Sequence, residues 1–169
     1  GALEASSAAA QYFLDTAMPV ADTPTAAYLA SRGNAGPYPD NLKFVSEARL
    51  GEGAMLAVVA NPDGPTATQV TYLDAEGNKS TVMPQRRIYR LRPDWSSTGC
   101  FSLTVADGPA RAVIAEGVED ALSLRQAGAG ATVIASLGVG NLGKAPIDPN
   151  LPVVVFKDGD DPVSPAGKG

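Results

Sequence analysis

Carboxylates follow two short apolar segments in the last third of the chain. The first segment, Ala112–Ala115, runs directly into Glu116, and the second, Val153–Phe156, is followed by Asp158 and Asp160. Apolar runs of this type predict buried strands of a parallel sheet, whose working crevice lies at the carboxyl ends of the strands. If the two strands are neighbours, the three carboxylates converge at one edge of the sheet.

These three carboxylates would repel one another unless a divalent cation offset their charge. Asp158 and Asp160 are two residues apart, so their side chains lie on the same side of an extended chain. The chain has one cysteine and no histidine, so the metal ligands must be oxygen atoms, which favours Mg²⁺, Mn²⁺ or Ca²⁺. The pattern therefore predicts a metal site built from Glu116, Asp158 and Asp160.

Each acidic residue also has an ordinary structural explanation. Glu119 and Asp120 would open a helix predicted over Val118–Ala127, where the helix dipole stabilises acidic side chains. Asp158-Gly159 alone is a common turn, and a glutamate at a strand end often serves only as a cap. Glu116, Asp158 and Asp160 all lie just after predicted strands, and such a coincidence is uncommon by chance. We therefore favour the metal site over these separate explanations.

The composition excludes several other kinds of site. The single cysteine, Cys100, and the lack of histidine exclude a disulfide framework, zinc sites of cysteine and histidine, and histidine-based catalysis. Cys100 itself is expected to be a buried structural thiol. No apolar run approaches the roughly 20 residues that span a bilayer, so we expect a cytoplasmic protein with no membrane partner.

The basic residues are unevenly placed in a chain of net charge −5. Five of them fall in a short stretch whose only acid is Asp94, and we call this set the basic stripe: Lys79, Arg86, Arg87, Arg90 and Arg92. The basic stripe is either a solvated strand face or a ridge that contacts nucleic-acid phosphates. Two aromatic residues beside it, Tyr89 and Trp95, are expected to pack in the protein rather than to stack on bases.

The apolar periodicity predicts three regions that together form an α/β fold. Residues 1–41 are a helical segment, with helices over Leu3–Ala17 and Ala26–Ser31. Residues 42–108 are rich in antiparallel strands, and residues 109–169 form a parallel sheet covered on both faces. The predicted strands are Leu42–Val45, Met55–Ala60, Gln69–Leu73, Ser80–Met83, Ile88–Leu91, Phe101–Val105, Ala112–Ala115, Thr132–Ala135 and Val153–Phe156.

A glycine-rich segment follows the strand predicted over Thr132–Ala135. Gly138–Gly143 matches the G-x-G-x-x-G pattern of dinucleotide sites, and Asp158 follows near the offset of a ribose-binding acid. Such a site needs a helix that begins within the motif. Prolines recur every third residue from Pro146 to Pro152 and leave no room for one. We therefore interpret this segment as a tight turn beside the acidic site.

Three segments resemble the Toprim domain, a metal-binding module shared by bacterial-type primases, topoisomerases and related nucleases. They are Ile114–Ser123, Ala135–Gly138 and Val155–Asp160. Upstream segments resemble the region before the Toprim domain in phage- and plasmid-type DNA primases and primase–helicases: Tyr28–Gly33, Ala54–Val59, Thr71–Asp74 and Gly77–Lys79. The resemblance implies a Toprim-like parallel sheet with flanking helices, preceded by a small α+β region with antiparallel strands.

The resemblance also implies a DNA primase, which uses Mg²⁺ or Mn²⁺ to synthesise RNA primers on single-stranded DNA during replication. Glu116 would act as a general acid or base or as a metal ligand, and Asp158 and Asp160 would hold the metal. The basic stripe would guide the template, nucleoside triphosphates would be the substrates, and a replicative helicase is a further candidate partner. The chain lacks a zinc ribbon and a helicase P-loop and stops before the family's last helix and strand, so we expect a fragment.

Two other functions remain open at this point. A Toprim nuclease would use the same metal site to cut DNA, and would degrade DNA with metal but without added nucleotides. A non-catalytic module would bind nucleic acid or a partner protein, and its acids would bind no divalent ion.

Overall fold

The computed structural model of the protein describes residues 1–141, 143–144 and 146–157. Two compact units divide the chain, residues 1–101 and residues 102–169. An antiparallel sheet comes first along the chain, and a sheet with parallel strands and a helix follows it. The mixed α/β class predicted from the sequence is therefore confirmed.

The predicted domain limits stay predictions: residues 1–41, 42–108 and 109–169. A compact unit is defined by its internal packing, whereas a domain is defined by its ability to fold alone.

The first unit is built on a four-stranded antiparallel sheet in the order β1-β2-β3-β4. Two helices precede the sheet and one short helix follows it. Their bounds are α1 Ala2–Thr16, α2 Pro24–Ser31, β1 Leu42–Arg49, β2 Glu52–Asn61, β3 Gly64–Leu73, β4 Arg86–Arg90 and α3 Trp95–Thr98.

Helix α1 covers one face of this sheet. Its alanine-rich sequence has high helix propensity, and the buried side of the helix carries Ala10 and Phe13. Phe13 packs into a core cluster with buried side chains from β1, β2 and β3, among them Val45, Leu56 and Tyr72. Burial of each large side chain of this kind stabilises the fold by about 2 kcal/mol.

Helix α2 ends at Ser31 as the sequence predicts, but it begins at Pro24, two residues before the predicted start at Ala26. Thr23 is its N-cap and Pro24 its first residue, which suits proline because the first amide of a helix has no partner. Beyond its last turn, Gly33 takes a φ of +79°, a conformation that glycine adopts without strain. Tyr28 and Leu29 on this helix are fully buried, so α2 is held by packing rather than by propensity.

The segment predicted as a strand over Ser80–Met83 forms no strand ladder with β3, and only one bridge forms just before it, between Leu73 and Lys79. The strand predicted over Ser80–Met83 is therefore wrong. Local hydrogen bonds replace a strand ladder, because the Ser80 hydroxyl accepts the amide of Val82 at 3.0 Å. This local turn at Ser80–Val82 places Val82 in the core cluster beneath α1.

The strand predicted over Phe101–Val105 belongs to the second sheet, not to the antiparallel one. Here β5, Phe101–Thr104, is the edge strand beside β7, Thr132–Ala135. Phe101 and Leu103 alternate with less buried residues as the sequence indicates. A period-two pattern identifies a strand but not its partner, which is why the assignment to the first sheet failed.

The second unit has the strand order β5-β7-β6-β8, with β6 parallel to both β7 and β8. Its further elements are β6 Ala112–Ala115, α4 Val118–Gln126, a 3₁₀ turn Val139–Asn141 and β8 Val153–Val155. This arrangement confirms the predicted parallel strands and the helix between them. None of the helices in the described part of the chain combines the length and apolar character needed to cross a membrane.

The prediction that the parallel sheet is covered on both faces holds for β6 but is wrong for β8. All four residues of β6 are buried, whereas Val153, Val154 and Val155 of β8 are 44–47% exposed. Strand β8 lies at the edge of the sheet, and α4 packs against β6 and β7. An edge strand needs a further element to cover it, and the apolar run alone does not supply one.

Candidate functional site

Glu116 stands at the carboxyl end of the central strand of the second sheet. Strand β6 is buried from Ala112 to Ala115 because β7 and β8 flank it. A charged residue is tolerated only where this burial ends, and Glu116 is the first residue beyond the strand and is exposed. The sequence signal of an apolar run followed by an acid therefore marks a true strand end.

The ends of β7 and β8 lie beside Glu116 at the same edge of the sheet. On one side, the amide of Leu137 donates to the carbonyl of Glu116 at 2.8 Å, and the amide of Ser136 donates to Ala115 at 2.8 Å. On the other side, the amide of Phe156 donates to the carbonyl of Ile114 at 2.8 Å. The segments that leave β7 and β8 thus begin on either side of Glu116.

The carboxylate of Glu116 makes no hydrogen bond or ion pair with the described residues. Gly117 follows it as the N-cap of α4, and Glu119 and Asp120 lie in the first turn of that helix. Their predicted position as N-terminal acids of the helix is confirmed. Glu116 therefore differs from its acidic neighbours because it is exposed and free of described partners.

The predicted metal set is only partly within the described residues. Asp158 and Asp160 lie outside them, and among the residues that are described no three side chains of His, Cys, Asp or Glu are grouped to hold a metal ion. Glu116 fits a divalent cation because its oxygen atoms are exposed, charged and available. The convergence of the three carboxylates stays a prediction.

The described residues of the glycine-rich segment form a tight turn, as predicted, and no long helix begins among them. Leu137 has a φ of +63° and Gly138 a φ of +145°, and a three-residue 3₁₀ turn follows at Val139–Asn141. The Ser136 hydroxyl donates to the carbonyl of Gly138 at 3.1 Å and closes the turn. A leucine in the left-handed region is uncommon and is found at sites that the surrounding structure holds firmly.

Sequence reasoning missed this strained backbone, although Leu137 lies within the Toprim-like segment Ala135–Gly138. A leucine gives no signal for a positive φ, because glycine and asparagine are the usual residues there. Its amide is the one that bonds Glu116, so the strained turn and the candidate acid are directly linked.

The basic stripe is divided by the structure and is not one ridge. Arg86 and Arg90 pair with Thr71 and Ala67 on one face of β3 and β4, while Arg87 alternates to the other face. Arg92 lies beyond β4, where its guanidinium donates two hydrogen bonds to Asp94, at 3.0 and 3.2 Å. These bonds hold the pKa of the exposed Asp94 below its usual value.

The remaining candidates are Tyr89, Trp95 and Cys100. Tyr89 packs edge-on against Phe13 with ring centroids 5.2 Å apart, which confirms the prediction of packing. The backbone carbonyl of Trp95 accepts a bond from the Thr66 hydroxyl at 3.2 Å. Cys100 is half-buried and not fully buried as predicted. Its partial burial raises the pKa of the thiol, which is the opposite of the lowered pKa of an activated cysteine.

Comparison with protein families places two successive matches on the chain. Residues 4–93, more than half of the chain, match a family described as a domain of unknown function, DUF7146. Residues 111–168 match the Toprim domain. Neither a curated protein nor a solved structure was found to match the chain.

The Toprim match begins at Arg111, the residue before β6, and includes the strand end that carries Glu116. Toprim domains bind divalent metals such as Mg²⁺ and are typical of enzymes that process nucleic acids, including primases, nucleases and topoisomerases. A metal-dependent action on nucleic acid is therefore the general expectation for this sheet edge. The chain belongs to the DUF7146 family, and a Toprim domain follows the family's domain along the sequence.

Proposed function

We propose that this chain is the core of a DNA primase, which synthesises RNA primers on a single-stranded DNA template in a metal-dependent reaction. The observation that supports this most is the place of Glu116. It is an exposed carboxylate without a described partner, at the end of the central strand of a Toprim sheet.

The proposed metal ligands are Glu116, Asp158 and Asp160. Strand β8 runs parallel to β6 and next to it, so a chain that continues beyond Lys157 starts from the edge where Glu116 lies. Carboxylate oxygens suit Mg²⁺ or Mn²⁺. A cation held there would offset the negative charge of the phosphates at the reacting centre.

The chain's own residues would then do two further things. Glu116, if it is not used as a ligand, would accept the proton from the attacking 3′ oxygen of the primer. The turn after β7 would bring backbone amides close to the triphosphate of the incoming nucleotide, since Gly138 has no side chain to block the approach.

The basic stripe is the proposed guide for the template strand, although its members would contribute unequally. Arg86, Arg87 and Arg90 lie on β4 and Lys79 on the preceding bridge. Arg92 already donates to Asp94, so we expect it to contribute least to phosphate binding. A replicative helicase is the proposed partner that would bring this enzyme to its template.

Template-dependent incorporation of labelled ribonucleotides tests the proposal. We expect Asp158→Asn, Asp160→Asn and Glu116→Gln each to reduce incorporation by about 100-fold or more, because each removes a charge from the reacting centre. Glu119→Gln is the matched control: it changes the same charge three residues away, within the first turn of α4, and should leave incorporation within about twofold.

Two outcomes would contradict the proposal. If the three variants incorporate ribonucleotides at the wild-type rate, the assignment of the metal ligands is wrong. If the wild type degrades DNA in the presence of Mn²⁺ without added nucleotides and makes no primer, the Toprim domain is a nuclease.

A further inference from the structure

Two consecutive amides after strand β7 point to the same side. The amide of Ser136 donates to the carbonyl of Ala115, and the amide of Leu137 donates to the carbonyl of Glu116, both at 2.8 Å. Successive amides of a regular strand point alternately to its two neighbours, and β7 lies between β5 and β6. The amide of Leu137 would therefore point away from Glu116 if the strand simply continued.

The φ of Leu137 fixes the angle between this amide and the turn that follows. It is +63°, and Gly138 comes next with a φ of +145°. If Leu137 returned to a negative φ, either its amide would rotate away from Glu116 or the turn beyond it would move. The turn is held in place because the carbonyl of Gly138 accepts the Ser136 hydroxyl at 3.1 Å and the Asn141 amide at 3.0 Å.

The side chain of Leu137 explains why a leucine occupies a position that suits glycine. Leu137 is 8% exposed, and Ser136 before it is also buried. Glycine would adopt the positive φ without strain, but it would bury no side chain and would leave the backbone free to adopt other conformations. Strained residues persist only where the surrounding structure holds them, and they cluster at functional sites. The buried leucine therefore anchors the turn beside Glu116.

We propose that Leu137 is a positioning residue for Glu116. Its left-handed backbone holds the amide that fixes the main chain of Glu116 at the sheet edge, and so keeps the Glu116 carboxylate where it meets a divalent cation. The proposal rests on the proposed function for the metal that Glu116 binds. Groups just outside a metal's ligands that hold those ligands in place commonly change metal affinity by about 10- to 100-fold when they are lost.

Two substitutions of Leu137 test this role through Mn²⁺ binding to the full chain, without nucleotides or DNA. Electron paramagnetic resonance of free Mn²⁺ measures the dissociation constant. Leu137→Val keeps a buried apolar side chain, but a β-branched residue is strongly disfavoured at positive φ, so we expect the dissociation constant to rise about tenfold. Leu137→Gly loses the side chain but adopts the same φ freely, so we expect Mn²⁺ binding within about threefold of wild type.

The order of these two variants separates positioning from packing. If Leu137 only filled space in the core, the glycine variant would bind Mn²⁺ most weakly, because it removes the most apolar surface. A second variant, Gly138→Ala, tests the same turn with the Leu137 side chain intact. A φ of +145° is essentially restricted to glycine, so we expect this variant also to weaken Mn²⁺ binding about tenfold.

Each kind of substitution has a matched control in the same unit. Gly128→Ala strains another glycine of positive φ, +67°, which follows α4 and has open space around the added carbon. Leu103→Val changes a buried leucine on β5 that is 2% exposed. Neither control changes the turn after β7, so both should bind Mn²⁺ within about twofold of wild type. Far-UV circular dichroism of each variant checks that the fold is kept.

The outcomes separate this role from the primase proposal. Weaker Mn²⁺ binding in Leu137→Val and Gly138→Ala, with near-normal binding in Leu137→Gly, supports the role even if no primer is ever made. Normal binding in Leu137→Val and Gly138→Ala, weaker binding in Leu137→Gly than in Leu137→Val, or an equal weakening in the controls overturns it even if the protein is a primase. A wild type that binds no Mn²⁺ overturns both the positioning role and the metal site.

Discussion

The two sheets of this protein differ in how they treat apolar side chains. In the first sheet, α1 covers a core cluster with side chains from β1, β2 and β3. Residues on the opposite face of these strands, such as Met55, are buried as well. In the second, the central strand β6 is buried while β8 leaves its valines nearly half exposed. The comparison teaches that an apolar run identifies a strand, whereas its neighbours decide whether it is covered.

The same difference separates the candidate sites. In the first unit, the arginines of the basic stripe on β4 lie beside side chains that pack and hydrogen-bond with one another, Tyr72 with Tyr89 and Tyr89 with Phe13. In the second unit, Glu116 is positioned by backbone hydrogen bonds that the ends of the neighbouring strands make with its segment. We therefore expect substitutions in the core to weaken the basic stripe indirectly. The candidate metal site at Glu116 should depend mainly on its own carboxylates.

One phenylalanine from each unit gives the largest test of this comparison. Phe13 is 3% exposed and Phe156 is 39% exposed. We expect Phe13→Ala to lower the free energy of unfolding by about 3–5 kcal/mol, and Phe156→Ala to lower it by about 1 kcal/mol. Urea denaturation followed by circular dichroism measures both, and a greater effect at Phe156 would show that β8 is covered in the folded protein.

A matched pair of valines sharpens the comparison within the second unit. Val113 of β6 and Val154 of β8 face each other in the strand register, but Val113 is 3% exposed and Val154 is 44% exposed. Val113→Ala should cost about 2 kcal/mol of stability, and Val154→Ala should cost less than about 1 kcal/mol. Urea denaturation of both variants measures these losses of stability. Equal losses in Val113→Ala and Val154→Ala would contradict the difference in burial.

Much of the second unit could be predicted because its signals are local. The apolar run Ala112–Ala115 and the acid after it mark a buried strand and its end. The prolines after Gly143 exclude a dinucleotide-binding helix. Each of these inferences needs only neighbouring residues and the stereochemistry of the backbone.

The rest could not be predicted because it depends on pairing between distant segments. The apolar alternation of Phe101–Thr104 does not say which sheet it joins. The basic stripe is contiguous in sequence but is divided by the alternation of β4.

A crystal of the protein containing Mn²⁺, with the anomalous signal of the metal measured, tests the central claim most directly. We predict one strong peak at the edge of the second sheet, with a carboxylate oxygen of Glu116 about 2.2 Å from it and Asp158 and Asp160 as further ligands. A strong peak elsewhere would contradict the account. So would the lack of any peak when the crystal contains enough Mn²⁺ to saturate a divalent-cation site.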